Sequence, residues 1–144
     1  MARVSEVSHR ETTAATTADV WRWYADVDRW RRWDGGVQSV ELDGPFETGT
    51  RGHVILPNGR RGRLTLLDVT PGTTFTDVVK LSLLKLTTRH ELTATALGTE
   101  ITHTIAVTGL MARFFPRLLT IPIRRALPAS VAQLAFLAAR EPVA

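Results

Sequence analysis

The sequence predicts an α+β fold: a curved antiparallel sheet of about seven strands wrapped around a long C-terminal helix, with two short helices after the first strand. Three observations predict it. Between residues 37 and 108, β-prone runs alternate with the turn signals Asp43-Gly44-Pro45, Pro57-Asn58-Gly59, Thr70-Pro71-Gly72 and Leu97-Gly98, a spacing that favours hairpins over crossovers. From Leu110 to Arg140 the chain has the Ala-, Leu- and Arg-rich composition of a helix. Outside that segment, helical patterning is confined to residues 18–33, so helices and strands are segregated.

Taken in order, Val4 to Thr12 reads as a strand with Val7, His9 and Glu11 on one side. Thr16, Thr17 or Asp19 can cap a helix over Ala18 to Ala25, which carries Val20, Trp21 and Tyr24 at helical spacing. A second helix, Asp28 to Trp33, ends at Asp34-Gly35-Gly36, where glycine is available for a left-handed cap. Strands follow over Val37 to Leu42, Thr50 to Leu56, Arg61 to Val69, Thr74 to Leu81, Leu86 to Ala96 and Thr99 to Thr108. Asn58-Gly59 is a strong hairpin signal, and Pro71-Gly72 suits a turn that wants proline before glycine. The connection Ser82-Leu83-Leu84-Lys85 lacks glycine and proline, and reads as a cavity lip, a contact surface or plain packing.

After Gly109 the long helix places Leu110, Phe114, Leu118 and Ile121 on one side and Arg113, Arg117 and Arg124 on another. Val131, Leu134, Leu137 and Ala138 lie well round from the first stripe. Pro122 and Pro128 are therefore expected to kink the helix, so that Phe114, Leu118 and Ile121 face the sheet while Val131 and Leu134 pack lower down. Hairpin register gives a sharper expectation. With Leu97-Gly98 as a two-residue turn, Ala96 pairs with Thr99, Leu92 faces His103 and His90 faces Ile105. Both histidines then share the apolar, concave face as diagonal neighbours, roughly 7–8 Å apart.

Composition bounds the function. The 144 residues suit one domain, residues 1–144, and 44% hydrophobic with 22% charged residues is ordinary for a globular chain. No apolar run approaches a membrane span and the N-terminus lacks a signal-peptide core, so a cytoplasmic location is expected. The absence of cysteine excludes disulfides and thiolate chemistry. The net charge of +4 comes from short, scattered basic groups with no nucleic-acid motif beside them, so no nucleic-acid partner is expected. His9, His53, His90 and His103 fall on separate strands without metal-ligand spacing. No serine sits in a nucleophile elbow, and Gly35-Gly36 follows a helix where phosphate-binding glycines precede one.

Four motifs carry a resemblance. Ala15-Thr16-Thr17-Ala18-Asp19-Val20-Trp21 resembles A-P-x-x-x-V-W, with Thr16 in place of proline, and Tyr24 to Asp34 resembles D-x-x-x-W-x-x-W-D. Leu67-Asp68-Val69-Thr70-Pro71-Gly72 resembles a strand-ending P-G turn, and Leu97-Gly98-Thr99-Glu100-Ile101-Thr102 resembles G-T-x-h-T, where h is apolar. In this order, over nearly the whole chain, they resemble the START-like helix-grip superfamily of polyketide cyclase/dehydrase and lipid-transport proteins. The resemblance implies a hydrophobic cavity between sheet and C-terminal helix, with a lipid, polyketide, sterol or other apolar small molecule as partner. It does not imply catalysis, because function lives in the site rather than the fold.

On this footing His90, His103 and Asp77 are the candidate acid–base groups, and chemistry of this kind needs no cofactor. Trp21, Tyr24, Trp30, Trp33, Phe75, Leu92, Ile105, Phe114, Leu118 and Ile121 are the expected ligand-binding residues, with Arg113 and Arg117 reaching a carboxylated ligand at the mouth. Each has a plainer reading: a core tyrosine, tryptophans closing one end of the core, histidines satisfied by hydroxyls such as Thr88 or Tyr24, a solvated arginine face. Asp77 shares parity with Phe75 and Val79, yet Val78 is apolar too, so both orientations stay open; Asp34 reads as a cap or turn residue. The cavity is expected to reach several hundred Å3, walled by the last two strands, the long helix and the helices near Trp21 to Trp33. The competing classes are a protein-interaction module, using Leu83-Leu84 and Phe114-Phe115, and a lipid carrier resting Arg113 to Arg125 on an anionic membrane.

Overall fold

The computed structural model describes residues 5–141. Val4, where the first strand was expected to start, lies outside the described residues. The elements are β1 (Ser5–Thr13), α1 (Thr17–Ala25), a single 3-10 turn (Val27–Arg29), α2 (Trp30–Trp33), β2 (Ser39–Leu42), β3 (Arg51–Ile55), β4 (Arg61–Thr70), β5 (Thr74–Leu81), β6 (Leu84–Thr95), β7 (Gly98–Thr108), α3 (Leu110–Phe114) and α4 (Pro116–Arg140). All seven strands form one antiparallel sheet in the order β1-β7-β6-β5-β4-β3-β2, so the first strand closes onto the last. This is the helix-grip arrangement, with α4 packed against β1 and β7 and against α1 and α2. Among the described residues no helix is long and apolar enough to cross a membrane.

Local chemistry explains the boundaries. Thr16 caps α1 in a capping box: its hydroxyl accepts from the Asp19 N–H at 3.1 Å, and the Asp19 carboxylate accepts from the Thr16 N–H at 3.3 Å. The Pro71-Gly72 turn has the expected form, with the Thr73 N–H donating to the Thr70 carbonyl at 3.0 Å and Gly72 at φ +78°. The end of α2 differs from expectation. It leaves through Asp34 in an extended conformation and neither glycine is left-handed; the Asp34 carboxylate takes the Gly36 N–H at 2.8 Å instead. The Ser82 connection is shorter than expected, since β6 begins at Leu84 and Leu81 pairs with it across a two-residue turn.

The β6–β7 register also corrects the sequence reading. Ala96 and Leu97 form the turn, Thr95 pairs with Gly98, and His90 lies directly opposite His103. Gly98 serves another purpose than the turn: its φ is +144°, and a Cβ there would collide with the Thr13 carbonyl and the Ala14 backbone. The first residue of β7 is thereby reserved for close approach to the end of β1. A slip of two residues preserves facing, so both histidines still point to the concave side.

The C-terminal helix departs most. The break falls at Phe115, ahead of Pro116, and α4 then runs as one element through Pro122 and Pro128. A single inward stripe explains this: Leu119, Ile123, Leu127, Val131, Leu134 and Ala138 recur every three or four residues and are buried or half-buried. No change of face is needed. Phe114, Leu118 and Ile121, expected against the sheet, are 65%, 67% and 46% exposed, whereas Val131 and Leu134 are fully buried as expected. Leu134→Ala should therefore cost about 3 kcal/mol in urea unfolding. Leu118→Ala should stay within about 0.5 kcal/mol of the parent. Comparable losses from the two would contradict the orientation of α4.

Candidate functional site

An aromatic cluster fills the interior beneath α1 and α2. Tyr24 is fully buried and touches Trp21, Trp33 and Phe75 edge-on, while Phe75 stacks on the His90 imidazole with centroids 3.9 Å apart and planes within 6°. Two hydrogen bonds fix this cluster. The Tyr24 hydroxyl and His103 Nε2 lie 2.7 Å apart, and the Trp30 indole N–H donates to the Tyr24 carbonyl at 2.8 Å. His90 and His103 meet edge to face at 4.5 Å between ring centres, closer than the diagonal contact expected, because they are cross-strand partners.

Beside this cluster a pocket of about 190 Å3 opens between sheet and α4. It is smaller than expected because the rings occupy the rest of the interior. Its walls come from β3, β4 and β5 as well as β6 and β7, with Val54, Leu64 and Val79 facing Ile123, Ala126 and Leu127 of α4. Its polar side is formed by Asp34, Asp77, His90 and His103, with Thr88 and Ser130, and no lysine or arginine lines it.

Of the sequence candidates, Asp77, His90, His103, Trp30, Trp33 and Ile105 line this pocket. Tyr24 and Phe75 support them from behind, and Trp21 and Leu92 belong to the surrounding core. Phe114, Leu118, Ile121, Arg113 and Arg117 do not reach it. The break at Phe115 and the inward stripe of α4 turn all five to solvent. The sequence reads Asp34 as a cap or turn residue; it holds the Gly36 N–H as one, and it also lines the pocket, which the W-D sequence gives no means of seeing.

Burial governs the electrostatics. It pushes the Asp77 carboxyl up to about 8, and the neighbouring Asp34 adds in the same direction. Asp34 is itself raised by burial, against the pull of the Gly36 N–H. The His103 imidazole is held down at about 3 by burial, with His9 contributing. His90 is lowered well below its usual value by burial and then by His103, against the Phe75 carbonyl. At neutral pH both imidazoles are therefore neutral and Asp77 is mainly protonated. The 3.7 Å between Asp77 Oδ2 and His90 Nε2 is then a contact of neutral groups rather than an ion pair. His90 Nδ1 lies 3.3 Å from the Phe75 carbonyl, so the ring proton sits there and Nε2 is left with its lone pair. Among the described residues Arg22 Nε and the indole N–H groups of Trp23 and Trp33 are buried without a hydrogen-bond partner, and of the three residues Trp33 lines the pocket. Among the described residues no three His, Asp or Glu side chains converge as a metal site would require.

The family model for polyketide cyclase/dehydrase and lipid transport matches residues 4–138. No curated protein matches the chain by sequence. Solved structures with the same fold include protein MLL2253 from Mesorhizobium loti, 17% identical, with a TM-score of 0.78 over 96% of this chain and 100% of that one. Norcoclaurine synthase from Thalictrum flavum, in complex with dopamine and hydroxybenzaldehyde, is 12% identical with a TM-score of 0.71, covering 99% and 91%. The di-domain ARO/CYC StfQ from the steffimycin biosynthetic pathway is 17% identical with a TM-score of 0.72; 95% of this chain matches 50% of that one.

The buried cluster should leave a mark on stability. Between about pH 4 and 8, native Asp77 keeps a proton that the unfolded chain releases, so its contribution falls as pH rises. Asp34 has the same sign. Below about pH 6.5 the unfolded chain protonates two histidines that stay neutral when folded, so their contribution rises with pH. The cluster's contribution therefore peaks near pH 6.5. Denaturant midpoints should fall between pH 6.5 and 8 by the equivalent of about 1 kcal/mol, and Asp77→Asn should flatten that limb. An alkaline limb unchanged by Asp77→Asn would contradict the protonated carboxyl.

Proposed function

The chain belongs to the polyketide cyclase/dehydrase and lipid transport family, and on that footing we propose that it holds an uncharged, largely apolar small molecule by a carbonyl oxygen. The observation that carries this reading is the Asp77 carboxyl, which burial keeps mainly protonated in the wall of an apolar pocket. A buried donor without a partner costs on the order of 1–3 kcal/mol. Asp77 Oδ2 lies 3.7 Å from His90 Nε2, outside hydrogen-bond distance, so a carbonyl oxygen in the pocket gives the Asp77 O–H an acceptor. Without a lysine or arginine in the wall, and with two carboxyls in it, a carboxylate ligand is repelled. The fold carries a comparable compound in norcoclaurine synthase, solved with dopamine and the aromatic aldehyde hydroxybenzaldehyde.

The same groups can move a proton. Asp77 gives its proton to the ligand's carbonyl oxygen while His90 Nε2 takes one from the adjacent carbon, leaving the neutral enol, a carboxylate and an imidazolium; passage of the imidazolium proton to Asp77 Oδ2, 3.7 Å away, restores both groups. An imidazole so weakened by burial deprotonates only a carbon acidified by two flanking carbonyls, the situation along a poly-β-ketone chain. Tyr24 supports the step indirectly, by holding His103 against His90.

Titration calorimetry with naphthalene, methyl naphthyl ketone and naphthoate tests the binding. The ketone should bind about tenfold more tightly than the hydrocarbon, the value of one well-made hydrogen bond. Naphthoate should not bind. Asp77→Leu should remove the ketone's advantage and leave naphthalene unaffected. Equal binding of ketone and hydrocarbon, or preference for the carboxylate, would sink the reading. Turnover is read separately, as the rate at which benzoylacetone relaxes to its aqueous keto–enol mixture. Acceleration lost in His90→Phe assigns the proton transfer to that imidazole, and relaxation at the buffer rate leaves a carrier.

A further inference from the structure

The six exposed side chains Leu83, Leu110, Phe114, Phe115, Leu118 and Ile121 have no role in the pocket, yet each is 46–67% exposed. They come from three adjoining pieces. The tip of the β5–β6 hairpin is tied to α3 by the Met111 N–H, which donates to the Leu83 carbonyl at 3.1 Å, and α3 leads through Phe115 into the first turns of α4. A groove at that junction is lined by Leu83, Leu84 and Leu110 together with Lys80 and Lys85. An apolar surface gathered in this way is uncommon on a monomer and marks a place of contact.

Charge identifies what it contacts. Arg113, Arg117, Arg124 and Arg125 are exposed on the same segment, and none forms an ion pair among the described residues. No acidic residue occurs between Glu100 and Glu141. On α4, Arg117, Ile121 and Arg125 follow one another at four-residue spacing, so the cations are interleaved with the apolar side chains. Arg113 lies over the Phe114 ring at 5.9 Å. A symmetric pairing of two copies would bring these arginines against their own equivalents. An acidic surface of headgroups with hydrocarbon behind it satisfies both components, the guanidinium groups reaching phosphates while Phe and Leu enter the acyl boundary.

We propose that the β5–β6 tip, α3 and the first turns of α4 dock on an anionic lipid bilayer. The opposite face of α4 supplies Ile123, Ala126 and Leu127 to the pocket, so docking sets one helix between membrane and cavity.

Co-sedimentation of the full chain with phosphatidylcholine vesicles, with and without phosphatidylglycerol, tests this. Binding is expected to the mixed vesicles at low salt, to be released at high salt, and to be at least about tenfold weaker on phosphatidylcholine alone. The double variant Arg117→Gln/Arg124→Gln should weaken it by roughly fivefold per arginine. Phe114→Ser/Leu118→Ser should abolish it, and because these side chains are exposed, both variants should melt with the parent. The arginine variant decides the matter if the other does not fold. Absence of binding to the mixed vesicles, or binding indifferent to both salt and lipid charge, overturns the proposal. So does a concentration-dependent dimer lost in Phe114→Ser without vesicle binding, which would make a second copy the occupant.

Discussion

The interior depends on one buried contact, the 2.7 Å hydrogen bond between the Tyr24 hydroxyl and His103 Nε2. Two groups that would each be costly alone in an apolar setting satisfy one another, and in doing so join α1 to β7 across the sheet's concave face. The consequences run outward from it. The Tyr24 carbonyl receives the Trp30 indole, which ties α2 to α1. His103 holds His90 edge-on, and His90 is clamped on its other face by Phe75. Without the hydroxyl, an imidazole that burial keeps neutral would face a ring edge with nothing to bond.

That packing divides the space under α4 in two. The half beneath α1 and α2 is filled by rings, and the half toward β3 and β4 stays open with Val54, Leu64 and Leu127 as its lining. Polar groups gather only at the boundary, where the closed half ends. Burial there shifts each of Asp34, Asp77, His90 and His103 toward its uncharged form. The pocket's small size follows from how tightly the aromatic half is packed.

Much of the architecture was legible because its signals are local. The Thr16–Asp19 cap, the Pro71-Gly72 turn and the alternation that points His90 and His103 inward each depend on a few neighbouring residues. What was not legible depended on contacts distant in sequence. Gly98 looked like a turn glycine, yet its missing side chain answers to the Thr13 carbonyl on β1. The apolar residues of α4 form two stripes, and periodicity cannot say which one the sheet covers. Prolines 122 and 128 suggested a bend, but the stripe from Leu119 to Ala138 runs past both. Asp34 was hidden for the same reason: only the fold brings the end of α2 beside Asp77.

The Ala96-Leu97 tip also has a bearing on how such a site can be altered. Leu97 is 89% exposed, so the tip carries little of the core and tolerates a change of length. Because strand facing has a period of two, a shift of β6 against β7 by two positions keeps every side chain on the face it already occupies. What changes is the rung on which each side chain sits: His90 opposite His103 in this chain, His90 opposite Ile105 after one such step. The hairpin thus works like a vernier with discrete settings. It can exchange which polar groups stand together while the scaffold that holds them keeps its shape.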